Sequence, residues 1–171
     1  QLDAIGDDVT CYGHLDASVF DPLSFETVSM GDPSTVYVFG FADRDLMFVD
    51  DSDVTDWKLS DLRRVGTLAD VFGGDAVCCS NWGSIPGLES AFRQLGKKDL
   101  PRIPLVFDPG DIVGASPKKI EALHGAIADL QDTFDVVYNA NRAELRTTAG
   151  PCSGTFDDDL DRLAAIREAT G

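Results

Sequence analysis

Five polar side chains follow short apolar runs in a way that could do chemistry: Asn81, Asp108, Asn139, Asn141 and Glu144. Asp108 closes the run IPLVF and opens an Asp-Pro-Gly-Asp segment. Asn139 and Asn141 close DVVY, and Asn141 begins an Asn-Arg-Ala-Glu tetrad ending at Glu144. Asn81 follows AVCCS and precedes Trp82. Asn with Glu three residues later is a helix-capping arrangement. The same carboxylate, with neighbouring amides, could hold hydrated magnesium beside nucleotide phosphates, because Mg²⁺ keeps several waters and uses few protein carboxylates. The two roles can coexist. Asp108-Pro109-Gly110-Asp111 reads equally as a turn, from its residue types, and as a carboxylate facing a ligand crevice.

These residues need a scaffold, and the sequence from Trp57 onward alternates strand-like and helix-like segments. Leu62, Val65, Leu68, Ala69 and Phe72 predict one helix, closed by Gly73-Gly74. Ala76–Ser80 is a strand. Leu88, Ala91, Phe92 and Leu95 make one helical face ended by Gly96. Ile103–Phe107 is the next strand. Ser116 as N-cap and Pro117 at N1 start a helix with Ile120, Leu123, Ile127 and Leu130 on one face. Lys118 and Lys119 oppose its dipole, at a cost of about 0.5 kcal/mol each at most. Asp135–Tyr138 is a third strand. Glu144–Thr147 belongs to a short helix, and Thr155 is expected to cap a last one, with Gly171 where a C′ glycine would end it. Strands separated by helices imply right-handed crossovers and a mainly parallel sheet in an α/β three-layer sandwich. In such sheets ligands bind outside the carboxyl ends of the strands, where all five polar residues fall.

The first third is built differently. Residues 1–56 hold 13 acids and one base, and residues 57–171 hold 17 acids and 13 bases. Ser34–Ala42 and Leu46–Asp50, joined by Asp43-Arg44-Asp45, read as a hairpin. Val9–Tyr12 and Phe25–Ser29 are strand-like but weakly patterned. The expected division is therefore an acidic β-rich region, 1–56, and an α/β core, 57–171. The hairpin edge can pair with a second copy, so a homodimer is the oligomer to look for.

The whole chain has 30 acids, 25 of them Asp, against 14 bases, for a net charge of −16. Such a surface repels phosphate backbones, which argues against a nucleic-acid partner. It suits high salt, where screening weakens the repulsion among acids. The composition resembles that of haloarchaeal cytoplasmic proteins. No apolar run reaches the ~18 residues of a membrane span, and no signal peptide is visible at the start. Cys11, Cys78, Cys79 and Cys152 form no C-x-x-C pair and are expected to be buried small hydrophobes, as in a reducing cytoplasm. His14 and His124 lack partners at ligand spacing, so surface or core positions are expected. Asp51–Asp56 lacks the glycine and distal acid of a calcium loop and is expected to be a solvated turn.

The order strand, Ser80-Asn81-Trp82, helix, VFDPGD, helix, VVYNANRAEL resembles the ribokinase-like (PfkB-type) carbohydrate kinase family over roughly residues 34–150. The resemblance implies a kinase that uses ATP and Mg²⁺ to phosphorylate a sugar hydroxyl. It implies that Asn139, Asn141 and Glu144 lie near the nucleotide and its phosphates, with Glu144 toward the metal, and that Asn81 and Asp108 lie on the substrate side. Ser34–Asp50 looks like the family's sugar-lid strands. The family's catalytic Gly-Ala-Gly-Asp segment does not occur in these 171 residues, so no catalytic residue is assigned. After Asp108-Pro109 the family often carries a base, where this chain has Gly110-Asp111. The chain is thus expected to be a middle piece of such a kinase. The alternative is a non-catalytic α/β nucleotide- or sugar-binding domain.

Overall fold

The computed structural model describes residues 9–20 and 25–171. The chain forms two compact units, residues 1–66 and 67–171. No helix among the described residues is long and apolar enough to cross a membrane.

In the first unit, β1 (Thr10–His14) pairs in parallel with β2 (Glu26–Gly31), with an irregularity at Gly13/His14. A parallel pair needs a crossover of about a dozen residues, and α1 (Ala17–Phe20) lies within it. The predicted hairpin is β3 (Thr35–Gly40) against antiparallel β4 (Asp45–Asp50), closed by a Phe41 N–H to Arg44 carbonyl bond of 2.8 Å. Its register places Val36 opposite Val49, Val38 opposite Met47, Tyr37 opposite Phe48 and Phe39 opposite Leu46. Directly opposed residues share a face, so one face is aliphatic and the other aromatic. Phe39 and Phe48 meet edge-to-face at 5.7 Å. Both faces are open: these residues are 45–70% exposed. A short α2 (Ser52–Thr55) and a 3-10 helix (Leu59–Arg64) complete the unit.

The single helix expected over residues 62–72 is two separate pieces. The 3-10 helix ends at Arg64, and α3 (Leu68–Val71) starts afresh. The break is local chemistry: Thr67 accepts from the Asp70 amide while the Asp70 carboxylate accepts from the Thr67 amide at 2.7 Å. That capping box starts a new helix where the apolar periodicity suggested continuity.

In the second unit β5 (Val77–Cys79), β6 (Pro104–Phe107) and β7 (Asp135–Tyr138) form one parallel sheet in that order. The intervening helices are α4 (Gly87–Leu95) and α5 (Pro117–Gln131), followed by α6 (Arg142–Ala149) and α7 (Asp159–Thr170). The chain is thus α/β with a parallel sheet, as expected. Leu105 and Phe107 point into the core. Phe107 stacks edge-to-face on Phe92 of α4 at 5.2 Å and against Tyr138 of β7 at 5.9 Å. Tyr138 in turn packs with Leu145, Ala149 and Ile166 of α6 and α7. The alternate positions Cys78, Val106 and Val137 share the other face by register. Val137 is 49% exposed there.

That pleat corrects the expectation for the cysteines. All four are free thiols and none is fully buried: Cys78 is exposed, because it belongs to the open row, and Cys11, Cys79 and Cys152 are half-buried. Burial pushes the Cys79 thiol up to about 12, with Cys78 adding to the shift. His124 is a core residue: its ring lies 3.0 Å from the Thr148 carbonyl, so Nε2 carries the proton, and burial lowers its pKa.

Helix ends follow their caps. Ser116 caps α5 by accepting from the Lys119 amide, with Pro117 first in the helix. The last helix begins later than expected from Thr155. Asp158 is its N-cap and accepts from the Leu160 and Asp161 amides at 2.8 and 3.0 Å. Asp outranks Thr at this position. Ion pairs tie helices together: Arg93 of α4 to Asp129 of α5 at 2.9 Å, and Arg142 of α6 to Asp159 of α7 at 2.8 Å.

Candidate functional site

The three parallel strands end side by side, and the ladder runs one bond past each pair. The Asp108 amide donates to the Cys79 carbonyl at 2.9 Å, and the Asn139 amide donates to the Phe107 carbonyl at 2.8 Å. Three tips therefore leave the sheet in register. Asp108 Oδ1 accepts from the Gly110 amide at 2.8 Å, a local turn, while Oδ2 accepts from Asn139 Nδ2 at 3.4 Å. The carboxylate of one loop is thus in reach of the carboxamide of the next.

Asn81 touches the same loop. It has φ of +66°, a left-handed conformation uncommon outside glycine but tolerated by Asn. Gly110 has φ of +65°, and a Cβ there would lie 2.8 Å from Asn81 Cα. Two turns meet backbone to backbone, so residue 110 must be glycine. A basic side chain at this position would run into the Asn81 backbone.

Asn141 caps α6. Its Oδ1 accepts from the Ala143 and Glu144 amides at 2.9 and 3.0 Å, and Glu144 Oε2 accepts from the Asn141 amide at 2.9 Å. The capping role read from the spacing is therefore real, and it holds the Glu144 carboxylate at the helix start through one oxygen. The Ala143 and Glu144 amides are both engaged by the cap.

Tyr138 ends β7, directly before Asn139. Its hydroxyl pairs with Thr148 Oγ1 at 2.7 Å. Burial raises its pKa to about 12, and the charges of Glu144 and Asp108 both add to the rise. Asn81, Asp108, Asn139, Asn141 and Glu144 all follow the carboxyl ends of the parallel strands β5, β6 and β7.

The donors are all hard oxygens and amides, and among the described residues no group of three or more His, Cys, Asp or Glu could cage a metal. That set fits a cation that keeps most of its waters and is shared with phosphates, which is the habit of Mg²⁺. It does not fit a structural zinc.

One residue escaped the sequence reading. Lys119 of α5 does not point idly along the helix start: Nζ donates to the Gly83 carbonyl at 2.6 Å and lies 5.7 Å from the centre of the Trp82 ring. The signal was present in the sequence. A cation in a first helical turn is unfavourable, and such a residue asks for a partner outside its helix. Trp82 itself is a packed residue, 3% exposed.

A family model for prokaryotic ketohexokinase matches residues 2–169, almost the entire chain. The chain belongs to the prokaryotic ketohexokinase family. Ketohexokinase from Haloferax volcanii is 29% identical over 154 residues, covering 84% of this chain and 40% of that protein. The chain therefore spans less than half the length of the curated relative it matches. No solved structure matches it. The family is a PfkB-type carbohydrate kinase family, in agreement with the motif order through Asn141 and Glu144.

Proposed function

We propose that these residues form part of a sugar kinase that transfers the γ-phosphoryl group of ATP to a ketohexose hydroxyl. The observation that carries the reading is the placement of Asp108, Asn139, Asn141 and Glu144 just past the carboxyl ends of a parallel sheet, in a chain of the ketohexokinase family. Asn139 and Asn141 are the nucleotide-side polar groups, and Glu144 holds a hydrated Mg²⁺. Asn81 and Asp108 lie on the sugar side. When bound, the cation neutralises phosphate charge; positioning and charge stabilisation account for most of phosphoryl-transfer catalysis. This chain's own part is to orient. Asp108 fixes Asn139, and the Asn141–Glu144 box fixes the carboxylate before any ligand arrives.

The test is an assay of the full-length protein with ATP and Mg²⁺ against ketohexoses and aldoses in molar KCl. Turnover with a ketohexose is expected. Nucleotide binding without turnover on any sugar would favour a non-catalytic binding domain, and absence of both would overturn the kinase reading.

We also propose an assembly built on the exposed ribbon. Nine large apolar residues of β3, β4 and their turn are 45–70% exposed, an open apolar patch of the kind that marks an interaction surface. A lone two-stranded hairpin is marginal in water. A second copy of the same ribbon is self-complementary about a two-fold axis, and we propose this as the occupant. Two chains of charge −16 repel one another, so dimerisation strengthens with salt. Sedimentation of the full-length protein should show a dimer in molar KCl and a growing monomer fraction at low ionic strength. A Phe48→Asp variant that stays dimeric would rule this interface out.

A further inference from the structure

Lys119 stands in the first turn of α5, yet its ammonium is directed elsewhere. It donates to the Gly83 carbonyl at 2.6 Å and rests 5.7 Å from the Trp82 ring centre, within cation–π reach. In a chain with 30 acids, no carboxylate among the described residues pairs with it. The lysine serves a backbone carbonyl instead.

The backbone it grips is the turn that carries Asn81. The Ser84 and Ile85 amides both donate to the Asn81 carbonyl at 3.1 Å, and the Gly83 amide donates to the Pro109 carbonyl at 2.8 Å. Gly83 is therefore tied through both polar groups, its N–H to the loop after β6 and its C=O to α5. A Cβ at residue 83 would collide with the Asp111 carbonyl oxygen, so the two turns lie hard against each other. Asn81 holds a left-handed φ of +66°, and such a conformation persists only where its surroundings over-determine it. Buried Trp82 anchors the middle of the turn.

We propose that Lys119 is a positioning residue. By holding the Gly83 carbonyl and covering the Trp82 ring, it keeps the Asn81 turn in its left-handed conformation beside the Asp108 turn. The kinetic consequence rests on the sugar-kinase reading; the conformational one does not.

Lys119→Met keeps an apolar stem over the indole and removes the donor, and Lys119→Arg restores donors. In the full-length protein, hydrogen exchange at the amides of residues 83–85 reports the turn directly, because those amides bond Pro109 and Asn81. Lys119→Met should speed their exchange by about tenfold, as expected for local opening with the fold intact, and Lys119→Arg should recover most of the protection. In the kinase assay, KM for the sugar should rise about fivefold in Lys119→Met with kcat nearly kept, the pattern of weakened substrate positioning. Unchanged exchange in Lys119→Met would overturn the proposal. So would faster exchange with KM unmoved, since the turn would then not set the site. If the parent protein shows no turnover, the kinase reading falls and the exchange result alone decides the clamp.

Discussion

Phe107→Ala is expected to lower stability by about 3–5 kcal/mol, the range for removing a buried aromatic ring. Phe107 is 0% exposed at the end of the central strand. It supports Phe92 of α4 at 5.2 Å on one side and Tyr138 of β7 at 5.9 Å on the other. Its loss opens a cavity between the sheet and α4, and neither neighbour can collapse into it without leaving its own strand or helix. The next residue is Asp108, so the site loosens along with the core. Denaturant unfolding of the full-length protein in molar KCl measures this, as a lower midpoint at constant slope. Val137→Ala, at a position 49% exposed on the same sheet, should cost less than about 1 kcal/mol. Equal losses in the two variants would show that the ring is not the centre of the packing.

Glu144 separates the two roles of one carboxylate. Gln also serves at the third position of a capping box, so Glu144→Gln can still accept from the Asn141 amide that Glu144 holds at 2.9 Å. Its charge is gone. Stability should stay within about 0.5 kcal/mol of the parent, as for a substitution that keeps the cap. Activity, or the Mg²⁺ concentration needed to reach it, should worsen by about 10–100-fold, the usual cost of losing a group that supports a bound metal. Glu144→Ala should show the same kinetic loss plus about 1 kcal/mol of destabilisation from the missing cap. Glu144→Gln with full activity at low Mg²⁺ would reduce Glu144 to a helix cap.

Much of this was legible in residue types. The alternation of AVCCS, IPLVF and DVVY with amphipathic segments specified a parallel sheet, and the register of β5, β6 and β7 confirms it. Asn141 to Glu144 gave its own helix start. What periodicity missed were local interactions that override it: the Thr67–Asp70 box that splits a predicted helix, and Asp158 displacing Thr155 as a cap. Exposure was missed where only the tertiary structure decides it. Cys78 looks like Cys79 in sequence, and the pleat alone sends it to the open row. The contact between Asn81 and Gly110 joins turns 29 positions apart, and a long-range backbone approach leaves no trace in a local pattern beyond an Asp-Pro-Gly turn whose purpose only the fold reveals. Lys119 was visible as an anomaly but not as a solution.

The β3–β4 ribbon has a further consequence for handling the protein. Its two strands are short, β-prone and free of proline, the profile of a segment that templates cross-β aggregation when unprotected. The acids that bracket it, Asp43 and Asp45 at the turn and Asp50 and Asp51 at the far end, act as gatekeepers by charge. Salt screens gatekeepers too. High ionic strength therefore weakens this protection, and a fresh, unassembled chain is most at risk of clumping in strong brine.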